Sequence, residues 1–314
     1  MRSLLVLILS VLTSSLVFAQ NTGTGFSMLE NAPTPAGLAL NESTTAVPQG
    51  SGSIYINPAL LILNSSSSID LGYSSWIEES NYIFGGANFI NGNRAFSIGV
   101  YNSKIGGIEQ RNNPGPSNGD FAISYLSVSG ALAYDFNFIS LGVAGQFLNE
   151  ENAQYQASGY AFNFGAASEF FDSKLKTGIS ILNIGKLDEL NNQSTPLPEL
   201  LRAGISLDVF EFAPPKNSDL PILVSLSSDY VHPLNERESL QTGDVETESY
   251  FNLGLRLNIA EVLQLSSGYK TGDTAKPISF GLELMMDQIT FNYALVPYRY
   301  GIGSLNSIGL QYKF

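Results

Sequence analysis

Side chains able to do covalent chemistry are scarce in this sequence. It holds one histidine, His232, and no cysteine, which removes cysteine nucleophiles, thiolate metal sites and disulfides. A serine hydrolase needs a base held beside the hydroxyl and oriented by a third group. His232 sits at the end of an alternating segment, directly before Pro233, and no Gly-x-Ser-x-Gly elbow occurs. Gly50-Ser51-Gly52 has no lysine at phosphate-loop spacing. Glu236, Glu238, Asp244, Glu246 and Glu248 could gather round calcium, but they lack EF-hand spacing and read as a solvated acidic loop. The sequence therefore predicts no catalytic residue, no metal site and no cofactor, in a protein that is not an enzyme. The formal charge of −13 opposes nucleic-acid binding, because phosphate contacts need a basic face.

What positions the remaining polar groups is a pattern of period two. Only 14% of the 314 residues are charged, against about 25% in an average soluble domain, while 44% are apolar and Gly, Phe and Tyr number 30, 19 and 15. Low charge with ordinary hydrophobicity opposes disorder. At the C-terminus Ile308, Leu310, Tyr312 and Phe314 fall on one face, with Ser307, Gly309, Gln311 and Lys313 on the other. Residues 139–147, 201–209 and 251–259 repeat the pattern. Candidate strands lie near 68–77, 81–90, 93–103, 120–136, 138–148, 155–168, 173–184, 199–210, 219–232, 246–258, 261–270, 276–286, 288–298 and 303–314, fourteen in all. Tight reversals at 91–93, 135–137, 258–260 and 286–288 alternate with long polar loops at 104–119, 185–198 and 233–245.

Short turns at one end and long loops at the other are the layout of a transmembrane antiparallel β-barrel, here of about 14 strands with both termini on the short-turn side. A soluble sandwich would need a second apolar core where these strands carry Gly, Ser, Asn and Arg, and no blade-length repeat supports a propeller. The apolar face meets outer-membrane lipid. Trp76, Tyr73, Tyr82, Tyr230, Tyr269, Tyr298 and Tyr300, near strand ends, suit the interfacial aromatic girdles. The other face lines the lumen and carries Lys176, Arg202, Asp208, Asp229, Arg256, Glu283 and Lys313. Those charges either hydrate the interior or form a pathway or bonded network that holds an internal segment. The terminal Tyr312 and Phe314 serve as the insertion signal read by the barrel-assembly machinery.

The N-terminus supplies the export route. Arg2, the apolar Leu4 to Leu12 and the small-residue site Val17-Phe18-Ala19 form a signal peptide over residues 1–19. After it the longest strictly apolar run is Ala59 to Leu63, far short of the roughly 20 residues a membrane helix needs. Residues 20–66 do not alternate. They hold Pro33, Pro35, Pro48 and Pro58 together with the apolar Ile54-Tyr55-Ile56, and they read either as an N-terminal plug inside the barrel or as a periplasmic loop with one short helix. The barrel then occupies residues 67–314.

Several motifs taken in order carry a family resemblance. Asn57-Pro58-Ala59-Leu60, preceded by Pro35-Ala36-Gly37-Leu38-Ala39, resembles the N-terminal hatch of FadL-type barrels and of the PorV/PorQ family of Bacteroidota outer membranes. The strand end Gly178-Ile179-Ser180-Ile181-Leu182-Asn183-Ile184-Gly185, the next motif Leu197-Pro198-Glu199-Leu200-Leu201-Arg202-Ala203-Gly204, and Asp229-Tyr230-Val231-His232-Pro233 are similar to that family's successive strand motifs. Asn252-Leu253-Gly254-Leu255, Gly268-Tyr269-Lys270-Thr271-Gly272 and Phe280-Gly281 complete the series, so the resemblance covers about residues 26–314. It implies an outer-membrane protein of PorV/PorQ type, a non-catalytic component of type IX secretion and cell-surface attachment that binds secretion-system or cargo proteins. The FadL-type relatives imply the alternative, a porter for hydrophobic compounds across the outer membrane. Asn57, Pro58 and Ala59 are the plug motif by this resemblance.

Overall fold

A computed structural model describes residues 25–314 apart from 77–78, 112–116, 118, 191–194, 213–220, 236–248 and 302. The expected signal peptide and the acidic loop residues Glu236 to Glu248 lie outside the described residues. Alternation of apolar and small polar residues produces strands throughout. They are β1 (Ser68–Ser75), β2 (Asn81–Asn91), β3 (Arg94–Gln110), β4 (Gly119–Asp135), β5 (Ser140–Asn152), β6 (Tyr155–Phe170) and β7 (Leu175–Leu187). The second half contributes β8 (Leu200–Phe212), β9 (Ile222–Pro233), β10 (Tyr250–Ile259), β11 (Leu263–Lys270), β12 (Ile278–Met286), β13 (Ile289–Pro297) and β14 (Ser304–Lys313). Each pairs antiparallel with its sequence neighbours, and β1 pairs with β14 from Ser68↔Lys313 to Ser75↔Asn306. The barrel is closed, with no free edge to expose unpaired N–H and C=O groups.

Turn chemistry explains the short-turn end. Gly92 between β2 and β3 and Asn137 between β4 and β5 adopt positive φ (59° and 71°), which glycine and asparagine reach at least cost. Part of the expected long loop at 104–119 is strand. Residues 104–110 extend β3 and pair with the start of β4, across a register shift between Ile105 and Ile108 that takes up Gly106-Gly107. A bulge absorbs the extra residue, so strict alternation fails there while pairing continues.

The outward faces of the strands form a band of exposed Leu, Ile, Val and Phe. Near the loop end it is bordered by Tyr73, Tyr155, Tyr160, Tyr230, Tyr269 and Tyr300, and near the short turns by Phe89, Phe96, Phe136, Phe170, Phe212 and Phe314. Three residues assigned to the girdle from sequence belong inside. Trp76 and Tyr298 pack on each other at 5.1 Å and against Val296 and Leu305, and Tyr82 stands 6.3 Å from Tyr101. Tyr82 pairs with Ser74 and Ser103, both buried, so its parity is that of the interior. At the C-terminus the Phe314 N–H donates to Ser67 O at 3.0 Å, and its ring packs on Phe89 and Tyr312 at 6.1 Å each. Phe314→Ala is therefore expected to reduce the assembled fraction several-fold, read as heat-modifiable mobility of membrane extracts. Wild-type levels would remove this residue from the insertion signal.

Residues 25–66 contribute short helical turns, Ser27–Glu30, α1 (Pro35–Ala39), Gly52–Tyr55 and Pro58–Leu61. Thr34 and Asn57 cap α1 and the last turn, accepting from the N–H groups of Gly37 and Ala59, and each of these two turns has proline at its first position. The segment is tied to the loop end by the Gly25 N–H, which donates to Pro196 O at 3.0 Å, and it enters β1 at the short-turn end.

Candidate functional site

The barrel interior is where side chains of opposite character converge. Residues 33–59 lie against a belt of inward-facing glycines found on every strand except β4, β9 and β13. These are Gly72, Gly86, Gly99, Gly142, Gly165, Gly178, Gly204, Gly254, Gly268, Gly281 and Gly309. A Cβ at Gly268 would overlap the backbone of Leu40 and Asn41, and one at Gly142 would overlap Pro58 and Ala59. The wall is glycine where the segment's backbone touches it, because no larger side chain fits.

Two buried carboxylates hold the segment by its backbone. Asp229 Oδ2 accepts from the N–H groups of Thr44 (2.9 Å) and Thr45 (2.8 Å), from Thr45 Oγ1 (2.6 Å) and from Arg202 Nη2 (2.9 Å). Arg202 Nε donates to Thr45 Oγ1 at 3.0 Å and Nη2 also reaches Glu42 O. Asp70 Oδ2 accepts from Ser51 N–H (2.8 Å), Ser51 Oγ (2.7 Å) and Ser68 Oγ (2.9 Å), and Oδ1 accepts from Gln311 Nε2 (2.6 Å). Charge-assisted bonds of this kind are about twice as strong as neutral ones. Strand side chains fix other turns of the segment: Ser180 donates to Ile56 O (2.7 Å), Asn163 to Ile54 O (2.9 Å), Asn88 to Leu61 O (2.9 Å) and Ser279 to Ala39 O (2.8 Å). Asn57 Nδ2 donates to Thr45 O (2.9 Å) and Ala166 O (3.1 Å), joining two parts of the segment to β6, while Pro58 and Ala59 are buried.

On the loop side the interior is apolar. Phe26, Met28, Leu29 and Tyr55 of the segment meet Phe84, Tyr101, Leu148 and Leu197, with Tyr82 and Tyr125 beside them. Tyr55 stands 6.1 Å from Phe84 and 5.6 Å from Tyr101, and Phe26 5.1 Å from Tyr125, all edge-on. The buried Tyr55 hydroxyl accepts from Ser129 Oγ at 3.0 Å. In the loop after β11, burial lowers Lys276 below the usual amine range, and its Nζ donates to Asn31 Oδ1 at 2.6 Å.

On the short-turn side the interior is charged. A cavity of about 310 Å³ between the segment and the wall is lined by Lys176, Arg256, Glu283 and Lys313 together with Asp70 and Gln264. Lys176 Nζ lies 3.4 Å from Glu169, Glu283 accepts from Gln264 at 2.6 Å, and Asp208 accepts from Ser225 at 2.6 Å. The seven charged residues expected on this face thus fall in two places, Arg202 and Asp229 at the segment and the other five toward the short turns. Sequence reasoning missed Asp70, Glu42 and Lys270. Glu42 Oε2 lies 3.7 Å from Lys270 Nζ, which sits 4.4 Å over the Tyr250 ring. Asp70 and Lys270 share the inward parity of Gly72 and Gly268, a signal that was legible. Glu42 lies outside any alternating segment and had none.

The lone histidine has a serine partner that the sequence did not reveal. His232 Nδ1 is 2.8 Å from Ser249 Oγ, which also accepts from Tyr230 OH at 2.9 Å. Among the described residues no third group hydrogen-bonds the ring, whereas a nucleophile–base couple requires an orienting partner. No cluster of three or more metal-ligating side chains is present among the described residues.

No family model and no curated protein matches the chain. Solved structures do match. The toluene transporter TodX of P. putida is similar at a TM-score of 0.51 with 9% identity, over 88% of this chain and 98% of TodX. A deltaS2 mutant of the TodX monoaromatic hydrocarbon channel is similar at a TM-score of 0.50 with 12% identity, over 84% and 94%. The fold shared with these structures is a closed antiparallel β-barrel. At these identities the likeness concerns architecture alone, and function has to be argued from the interior.

Proposed function

We propose that this protein passes small hydrophobic compounds across the outer membrane, with residues 25–66 acting as the plug of the channel. The observation that carries this reading is the polarity of the interior. A transmembrane barrel ordinarily presents polar groups to its lumen, whereas here the loop side gathers Phe26, Met28, Tyr55, Phe84, Tyr101 and Tyr125. The interior is thus apolar and aromatic toward the loops and charged toward the short turns. The similarity to TodX, a toluene transporter, supports the same reading. The test is uptake of a labelled monoaromatic hydrocarbon by cells with and without the gene. Uptake is expected to fall several-fold on deletion, and unchanged uptake would overturn the reading.

A second reading keeps the PorV/PorQ resemblance and makes the barrel a partner in type IX secretion, engaging secretion-system or cargo proteins at the surface. The network around Arg202, Asp229 and Asp70 favours it, since a docking platform needs a firmly seated segment and no passage. Cargo lost from the cell surface on deletion, with hydrocarbon uptake intact, would select this reading. Under both, the protein sits in outer-membrane lipid, inserted by the barrel-assembly machinery after export.

A further inference from the structure

We propose that the loop end of the β11–β12 hairpin is a latch on the outward half of the N-terminal segment, holding residues 26–42 over the aromatic cluster while the later residues are held separately. The contacts come from one short stretch of chain, residues 270–279. Lys276 Nζ donates to Asn31 Oδ1 at 2.6 Å, and Asn41 Nδ2 donates to Lys276 O (3.4 Å) and Pro277 O (3.0 Å). Ser279 Oγ donates to Ala39 O at 2.8 Å, and Lys270 Nζ lies 3.7 Å from Glu42 Oε2. The Gly25 N–H on Pro196 O adds a tie at the segment's start. The hairpin end has internal order of its own. Asp273 Oδ1 accepts from the N–H groups of Ala275 (2.9 Å) and Lys276 (2.8 Å), and the Arg299 N–H, from the β13–β14 connection, donates to Ala275 O at 2.8 Å. Lys276 is thus presented by a loop that its own bonds fix, which lowers the ordering cost of the contact.

The segment has a hinge where this grip ends. Asn41 and Glu42 take left-handed φ of 47° and 67°, a conformation that is costly for a residue other than glycine and persists only where its surroundings impose it. Here the hairpin imposes it, through the carbonyls that accept from the Asn41 amide and through Lys270 beside Glu42. At and after the bend the buried anchors begin, with Arg202 on Glu42 O, Asp229 on Thr44 and Thr45, and Asp70 on Ser51. Before the bend the segment carries Phe26, Met28 and Leu29 into the apolar cluster, at 0%, 2% and 4% exposure. Loss of the hairpin contacts lets the bend relax and frees the residues before it, while those after it keep their own anchors. The latch decides whether the cluster is covered from the loop end, whichever compound the barrel passes.

The test exploits a chain without cysteine. Two reporters are made in the full-length barrel in detergent, Met28→Cys before the bend and Ile54→Cys after it, both at positions that are buried. Each is labelled with a polyethylene-glycol maleimide, alone and combined with Asn41→Gly or with Lys276→Met. Asn41→Gly removes the amide and leaves a residue that reaches positive φ freely, and Lys276→Met keeps the stem without the Nζ donor. The labelling rate at residue 28 is expected to rise about tenfold in each folded variant, equivalent to about 1.4 kcal/mol of lost grip, with the rate at residue 54 unchanged. Heat-modifiable mobility identifies the folded variants, and either substitution keeps the test open where the other does not fold. An unchanged rate at residue 28 in a folded variant, or an equal rise at residues 28 and 54, overturns the proposal.

Discussion

Asp229→Ala should loosen the N-terminal segment without unzipping the barrel. The substitution removes the acceptor of two backbone N–H groups and one hydroxyl, and it strands the Arg202 guanidinium, whose side chain is 2% exposed beside a fully buried carboxylate. Breaking a buried ion pair from one side costs about 3–5 kcal/mol, because the remaining charge is left uncompensated. The loss falls on the segment, since the β8–β9 and β9–β10 ladders do not use this side chain. Chymotrypsin should then nick residues 25–66 in the folded barrel, and the urea midpoint followed through Trp76 fluorescence should drop. Asp229→Asn keeps an acceptor oxygen and should fall between. Replacing the pair together, Arg202→Met with Asp229→Leu, should recover only the part owed to the stranded guanidinium, because the Thr44 and Thr45 N–H groups still lack their acceptor. Wild-type resistance to chymotrypsin in Asp229→Ala would show that the pair does not hold the segment.

The second large effect comes from volume. Gly268→Val would place its first side-chain carbon inside the backbone of Leu40 and Asn41. Overpacking a core typically costs about 1–3 kcal/mol, and here the clash is with main chain rather than a side chain that can turn aside. The segment cannot seat while β11 keeps its pairing. We expect a barrel that still assembles and is heat-modifiable but conducts ions in planar bilayers about tenfold more than wild type, with segment displacement providing the path. Gly130→Val is the control, because that glycine is exposed with nothing within 4 Å and should behave as wild type. Equal conductance of Gly268→Val and wild type would mean that the segment does not close the lumen.

The strands were legible because lipid and lumen impose period two on each of them, and that signal survives in a single sequence. Strand ends were less so: β3 runs on to Gln110 through Gly106-Gly107, where a bulge resets parity. Asn183 is a similar case. It takes φ 61° in β7, and both it and Leu182 are buried, so two successive side chains share the inner face and counting by twos misplaces the residues beyond them. The girdle assignments of Trp76, Tyr82 and Tyr298 erred for a different reason. An aromatic near a strand end satisfies the girdle rule on either face, and only an apolar interior, unusual for a barrel, explains why these three turn inward. The contacts of residues 25–66 obey no period at all. Their turns are set by local caps and prolines and by the carboxylates of Asp70 and of Asp229, the latter 184 residues from Thr45, so sequence suggested burial there without the partners.

The chain order of this barrel also dictates a sequence of events. Residues 25–66 run through the lumen from the Pro196 end to the start of β1, and β1 then pairs with β14, the last strand made. A segment that lies within the curving sheet when those two strands meet is enclosed as they pair. The pairing of β1 with β14 joins the most distant strands in the chain, which is the slow kind of contact. Until then the unsealed sheet remains open along one side, and the segment's fit to its glycines is what tells a correct closure from a hollow one.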